Sequence, residues 1–297
     1  MSNSNNKIYA GIDAGGTTFK CVIATADAQI LYSQRFPTTQ PAETITSCVT
    51  YFKDMQQKHD LKFEGLGIAA FGPLDIDEAS DTYGSILNTP KPYWSNVNLK
   101  KEFEEKLGLK TAVNTDVNSA IAAELWWGAA QNCRRAAYVT IGTGIGVGLV
   151  QDGIFMGAPL HPEMGHIRVQ RHSDDQDYKG YCRFHNDCLE GLACAPAFEE
   201  RYGPAKELPT DHKGWEIEAY YLAQICLNLT LTFRPERIVL GGGLMLAAQF
   251  LPKIQKQYEA LLGDYLRGNV PQASHLIRTP LLGDNAGMLG AVAIQLE

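Results

Sequence analysis

No run of uncharged apolar residues reaches the roughly 18 to 20 that a membrane span requires, and residues 1–7 (MSNSNNK) lack the apolar centre of a secretory signal. Those two absences predict a cytoplasmic protein. Basic residues are the minority, 26 Lys and Arg against 33 Asp and Glu, so the formal net charge is −7. With a pI near 5.5 there is no electrostatic footprint of the kind nucleic acids require, and DNA and RNA are excluded as expected partners. Disulfide rhythm is missing as well: seven cysteines, an odd number, are spread over 297 residues, which favours reduced thiols or metal ligands. No G-x-x-x-x-G-K-[ST] loop occurs, and the glycine-rich stretch at 140–146 has the wrong context for a dinucleotide-binding fingerprint. No low-complexity linker divides the chain.

What is present is an apolar fraction of 45% on a chain long enough for one large or two medium domains. Residues 7–36 read as three short strands joined by turns at 14–18 and 26–29, because apolar β-formers alternate with Gly, Asp and Thr. A helix over about 42–59, a buried strand ending at Gly72 and Pro73, a helix stopped by Gly108 and a strand at 109–114 follow. The next helix opens near Asp116, with Asn118 or Ser119 as its expected cap. Residues 134–156 again read strand, glycine turn, strand and tight turn, and helices over about 216–233 and 247–267 flank the strand RIVLGGG. The chain therefore repeats its opening pattern, which predicts two α/β lobes with a cleft between them. The first is expected to comprise 1–117 plus 285–297, and the second 118–284.

Three glycine turns lie between strands or ahead of a helix. DAGGTT contributes Asp13, Gly15, Gly16, Thr17 and Thr18; TIGTGIG contributes Thr140, Gly142, Thr143 and Gly144; LGGGLM contributes Gly241, Gly242 and Gly243. Glycine lets backbone N–H groups approach an anion and adopt positive φ, and threonine hydroxyls add donors. A single such turn is commonly no more than a tight connection, whereas three in this order suit a polyphosphate. A second constellation is richer in metal-type side chains. Cys182, His185 and Cys188 recur at intervals of three, and either His161 or His166 supplies a fourth N or S donor for a tetrahedral zinc. Cys194 lies in an apolar run and reads as core.

With these motifs on the page, the sequence resembles the ROK family of sugar kinases and repressors across residues 11–290. The likeness rests on Asp13-x-Gly15-Gly16-Thr17, on GTGIG at 142–146, on EMGH at 163–166 and on the Cys-rich segment; NTDVNSA, HPEMGH and the Cys-x-x-His-x-x-Cys spacing are most similar to bacterial fructose kinases. The resemblance implies an α/β, two-lobed actin/hexokinase/Hsp70-like (ribonuclease H-like) ATPase fold that phosphorylates D-fructose at its 6-hydroxyl. It implies Asp116 as the base that accepts the hydroxyl proton, Asp13 as the group orienting Mg²⁺ through water, and His166 as the fourth ligand of a structural zinc. It further implies a sugar site of Gly72, Pro73, Asn118, Glu163, His166 and Glu190, with Thr115 standing where many relatives carry asparagine. That departure leaves glucose in doubt and fits fructose. Mannose, glucose or an N-acetylhexosamine remain alternative substrates. A sugar-responsive ROK regulator is the non-enzymatic alternative, which requires a DNA-binding helix-turn-helix ahead of the first strand. A hydrolytic zinc requires an open coordination position that four protein ligands do not leave. ATP and sugar are the implied small-molecule partners, and a homodimer is the implied assembly.

Overall fold

The computed structural model describes residues 7–266 and 268–296. The expected first-lobe limits at residues 1 and 297, and the expected helix end at Arg267, lie outside the described residues. Along the chain the elements run β1 (Ile8–Ala14), β2 (Thr18–Thr25), β3 (Ile30–Pro37), α1 (Pro41–His59), β4 (Phe63–Ala70), α2 (Leu99–Leu107), β5 (Thr111–Thr115) and α3 (Asp116–Trp127). They continue with β6 (Arg135–Ile141), β7 (Ile145–Gln151), β8 (Ile154–Phe155), α4 (Leu189–Ala193), α5 (Ala195–Tyr202), α6 (Lys213–Thr232), β9 (Arg237–Gly241), α7 (Phe250–Leu262), α8 (Ala273–Leu276), β10 (Ile277–Arg278) and α9 (Ala286–Ala293).

The chain forms two compact units, one of residues 1–131, 155–161 and 282–297, the other of residues 132–154 and 162–281. This division differs from the boundary expected at 117. Helix α3 belongs whole to the first unit, because Ala122 and Ala123 pack with Met288, Leu289 and Val292 of α9 against Tyr9, Val22 and Ala24. Ile76 N–H also donates to the Pro159 carbonyl at 2.9 Å, which ties residues 155–161 to the same unit.

In the first unit the sheet order is β3-β2-β1-β4-β5, with β1 antiparallel to β2 and parallel to β4. In the second it is β8-β7-β6-β9-β10, with β6 antiparallel to β7 and parallel to β9. The repeat read in the sequence is thus a repeat of topology. One face of the first sheet is filled by Ile12, Phe19, Ile68 and the α1 residues Ile45 and Phe52. The other accepts α9 at very short range: a Cβ on Gly67 would stand 1.7 Å from the Ala291 carbonyl oxygen, so only glycine admits the helix there. The second core joins Val139, Val147 and Leu240 to Trp215, Leu222 and Phe250 from α6 and α7.

Two helix boundaries differ from those expected. Neither Asn118 nor Ser119 caps α3; both are buried inside it, and the Thr115 hydroxyl accepts the Asn118 N–H at 3.3 Å. The glycine turn at 241–243 does not run directly into a helix, since a 3₁₀ turn at Gly243–Leu246 intervenes and α7 stops at Gly263.

Candidate active site and metal centre

Parallel strands end together, and ligands of open α/β sheets gather beyond their carboxyl ends. In the first unit the register sets Ala14 beside Ala70 and Ala70 beside Thr115. The residues that follow, the turn at 15–17, Gly72 with Pro73, and Asp116 with Asn118, therefore leave the sheet at one edge. Asp116 is the first residue of α3, and its Oδ1 accepts the Val117 N–H at 2.8 Å. Because Thr115 does the capping, the Asp116 carboxylate is not consumed as a helix cap. Its side chain is exposed at the surface yet ringed by protein at a wider radius, and this thinned hydration raises its pKa from the ordinary 3.8 to about 6. The Val117 N–H opposes that rise, and the neighbouring Asp13 charge adds to it.

Asp13 itself accepts from Lys20 Nζ at 2.8 Å. It lies so close to the start of α9 that a Cβ on Gly287 would come within 2.7 Å of its Oδ2. Thr38 steadies the turn, its hydroxyl donating to the Gly15 carbonyl at 2.7 Å and its N–H to that of Thr17. Thr115 is buried with its hydroxyl engaged at the cap, and buried Asn118 donates through Nδ2 to Asn114 Oδ1 while its own Oδ1 has no partner. Lys20 and Gly287 went unread in the sequence, although a register count across the first hairpin pairs Lys20 with Asp13.

In the second unit Thr140 pairs with Gly241, so the turns at 142–144 and 242–243 also share an edge. Positive φ is needed at Gly242 alone among the glycines expected to hold phosphate. At Gly15 and Gly241 a Cβ would press to 2.9 Å from the Thr18 carbonyl oxygen and 2.0 Å from the Tyr138 hydroxyl, whereas on Gly16, Gly142 or Gly243 it would meet nothing within 4 Å, which leaves open space over the backbone. Gly144 is different, because a Cβ there would press to 2.6 Å from Glu190 Oε2. That carboxylate accepts the Ile145 N–H at 3.0 Å, and its Oε1 lies 4.0 Å from His166 Nδ1.

His166, Cys182, His185 and Cys188 bring their donor atoms within 4.8 Å of one another; His161 is not in the group. His166 Nδ1 is 3.5 Å from Cys188 Sγ and 3.7 Å from Cys182 Sγ, and His185 Nδ1 is 3.8 Å from Cys182 Sγ. Ligand bonds of 2.0 to 2.3 Å give tetrahedron edges of roughly 3.3 to 3.8 Å, so the donor set fits a closed N₂S₂ site. The loop is held from outside. Arg168 and Arg171 both pair with Asp187, Leu189 N–H donates to the Ile167 carbonyl at 2.9 Å, and Cys182 and Asn186 exchange backbone bonds. Burial pushes the Cys188 thiol up to about 11, so its thiolate needs a cation. Glu163 precedes the 3₁₀ turn that carries His166 and is exposed. Cys194 is buried, as expected of core. Among the described residues no helix is long and apolar enough to cross a membrane.

Comparison with known proteins accords with this arrangement. The chain is 40% identical over 296 residues to the fructokinase of Zymomonas mobilis, covering 99% of this chain and 98% of that one. It is also 40% identical to the fructokinase of Streptococcus mutans, covering 97% of each. The crystal structure of the ROK hexokinase from Thermus thermophilus superposes with a TM-score of 0.77 at 24% identity, covering 97% of each chain. The chain therefore shares the α/β, two-sheet fold of that ROK hexokinase. The ROK family model matches residues 9–297, and the chain belongs to the ROK family.

Proposed function

We propose that the chain is an ATP-dependent fructokinase that converts D-fructose to fructose 6-phosphate. The observation that carries the reading is Asp116, a carboxylate of raised pKa at the edge where the Asp13 turn also ends. Phosphoryl transfer asks the protein for position, charge neutralisation and a proton acceptor rather than covalent chemistry. Asp116 takes the proton of the attacking sugar hydroxyl. Asp13 would hold Mg²⁺, which would neutralise charge on the phosphates, and Gly15, Gly16, Thr17 and Thr18 approach the phosphates. In the second unit Thr140, Gly142, Thr143 and Gly144 donate to the nucleotide from one turn, and Gly241, Gly242 and Gly243 from another. Near-full-length relatives named fructokinase support fructose as the sugar.

His166, Cys182, His185 and Cys188 hold a structural zinc, which supplies a rigid brace rather than a reactive water. That brace steadies Glu163 and Glu190, whose carboxylates accept from sugar hydroxyls. Gly72, Pro73, Thr115 and Asn118 shape the sugar side of the first edge, Thr115 through its cap. The protein works in the cytoplasm as a homodimer, in keeping with the family resemblance. Measuring ADP release against fructose, mannose, glucose and N-acetylhexosamines, before and after chelation, tests the reading. Turnover highest with fructose is expected, and no fructose-dependent ADP release refutes it.

A further inference from the structure

Asp13 and Lys20 face each other across the β1–β2 hairpin whose turn, at 15–17, is the first glycine turn of the chain. Lys20 Nζ donates to Asp13 Oδ2 at 2.8 Å, and the lysine side chain keeps 30% of its surface exposed. An ammonium has three donors, so one bond to Asp13 leaves two for another acceptor. The same edge carries a second carboxylate, Asp116, whose proton affinity the Asp13 charge raises. Two carboxylates at one edge repel a polyanion, and the N–H dipoles of a glycine turn do not offset full charges. Lys20 supplies a full positive charge there. A point charge with rotatable donors suits phosphate oxygens.

Resting on the nucleotide reading of this edge, we propose that Lys20 binds the terminal phosphates of the nucleotide, with Asp13 holding its ammonium beside the turn at 15–17. Asp13 then has two functions, as metal orienter and as lysine anchor. A purely structural role predicts something else, because a partly exposed ion pair contributes little to stability and nothing to ligand affinity.

The test is calorimetric titration of wild type, Lys20→Met and Lys20→Arg with ATP, inorganic tripolyphosphate, adenosine and fructose, without divalent metal, alongside thermal melts. Lys20→Met is expected to weaken ATP and tripolyphosphate by about tenfold or more, the loss of a charge-assisted contact, with adenosine and fructose unchanged. Lys20→Arg is expected to restore most of the affinity. Tripolyphosphate binding as tight in Lys20→Met as in wild type overturns the assignment, as does an equal loss of adenosine affinity. Wild type that binds neither ATP nor tripolyphosphate overturns the nucleotide reading along with it.

Discussion

Asp116 has two measurable signatures at the scale of one residue. Replacing it with Asn should lower kcat by about 10² to 10⁴ while leaving fructose affinity near that of wild type. The base must be ionised, so wild-type kcat should fall as the pH drops through about 6, and the residual rate of Asp116→Asn should lack that limb. Stability moves the other way. The folded state binds this proton more tightly, near 6, than the unfolded chain near 3.8, so the Asp116 charge opposes folding above pH 6, and the penalty fades as the pH falls toward 3.8. Asp116→Asn should therefore melt higher than wild type at pH 8, with the difference shrinking toward pH 4. A variant that melts lower at pH 8 would contradict the raised pKa. The place of Asp116 was legible because a strand hands over to a helix there. Thr115 as the cap was not, since an N–T–D–V–N–S run offers several capping side chains and only backbone geometry selects one. Lys20 was hidden for a similar reason: its partner lies seven residues back, across a turn whose register no single-strand pattern fixes.

Elements show how the Cys/His loop is set on its unit. Arg201 of α5 donates to Asp175 at 2.6 Å and to Glu218 of α6 at 3.2 Å, reaches the Leu192 carbonyl at the end of α4, and has only 7% of its side chain exposed. Tyr221 adds a hydroxyl bond to Asp175 at 2.7 Å. One cation serves two buried carboxylates, and burial, against the pull of Arg201, pushes Glu218 up to about 8. A carboxyl pushed up that far gives up little when its charge is removed near neutral pH. Removing the arginine leaves the acids without their cation, so Arg201→Met should cost about 3 to 5 kcal/mol, whereas Glu218→Gln should be close to neutral at pH 7. Urea unfolding of the two variants measures both, and a cost below about 1 kcal/mol for Arg201→Met would remove the hub from the account. Sheet packing gives a parallel expectation: Gly67→Ala forces α9 away from β4 and should cost about 1 to 3 kcal/mol or more. Of these elements β4 and α6 were read from the sequence, whereas the short helices α4 and α5 were not. Strand and helix order could be read because period and turn residues are local; the Arg201 hub joins three helices and a loop, and its partners become neighbours only once α4, α5 and α6 have packed.

The two-unit organisation of the whole molecule was legible as a repeated strand–turn–strand opening, since both sheets obey the same order of antiparallel and parallel neighbours. The division falls after α3 and not before it because, although α3 looks from sequence like the start of something new, its apolar face belongs with α9, about 160 residues further on. Each unit has its own sheet and its own buried cluster, and all four metal-type donors lie in the second. On the proposed zinc site, metal binding free energy would be folding free energy of the second unit, where all its donors lie. With zinc present, scanning calorimetry should show the second unit unfolding at or above the temperature of the first. Chelation, or Cys188→Ala, should move only the second unit's transition downward and split the endotherm in two, while the loss of bound zinc is followed by metal analysis. Far-ultraviolet dichroism at a temperature between the two steps should retain about half the structured signal. An endotherm that shifts downward as a single peak would mean that the metal stabilises both units as one cooperative body. An endotherm that does not move on verified metal loss would mean that the four side chains hold their positions without it.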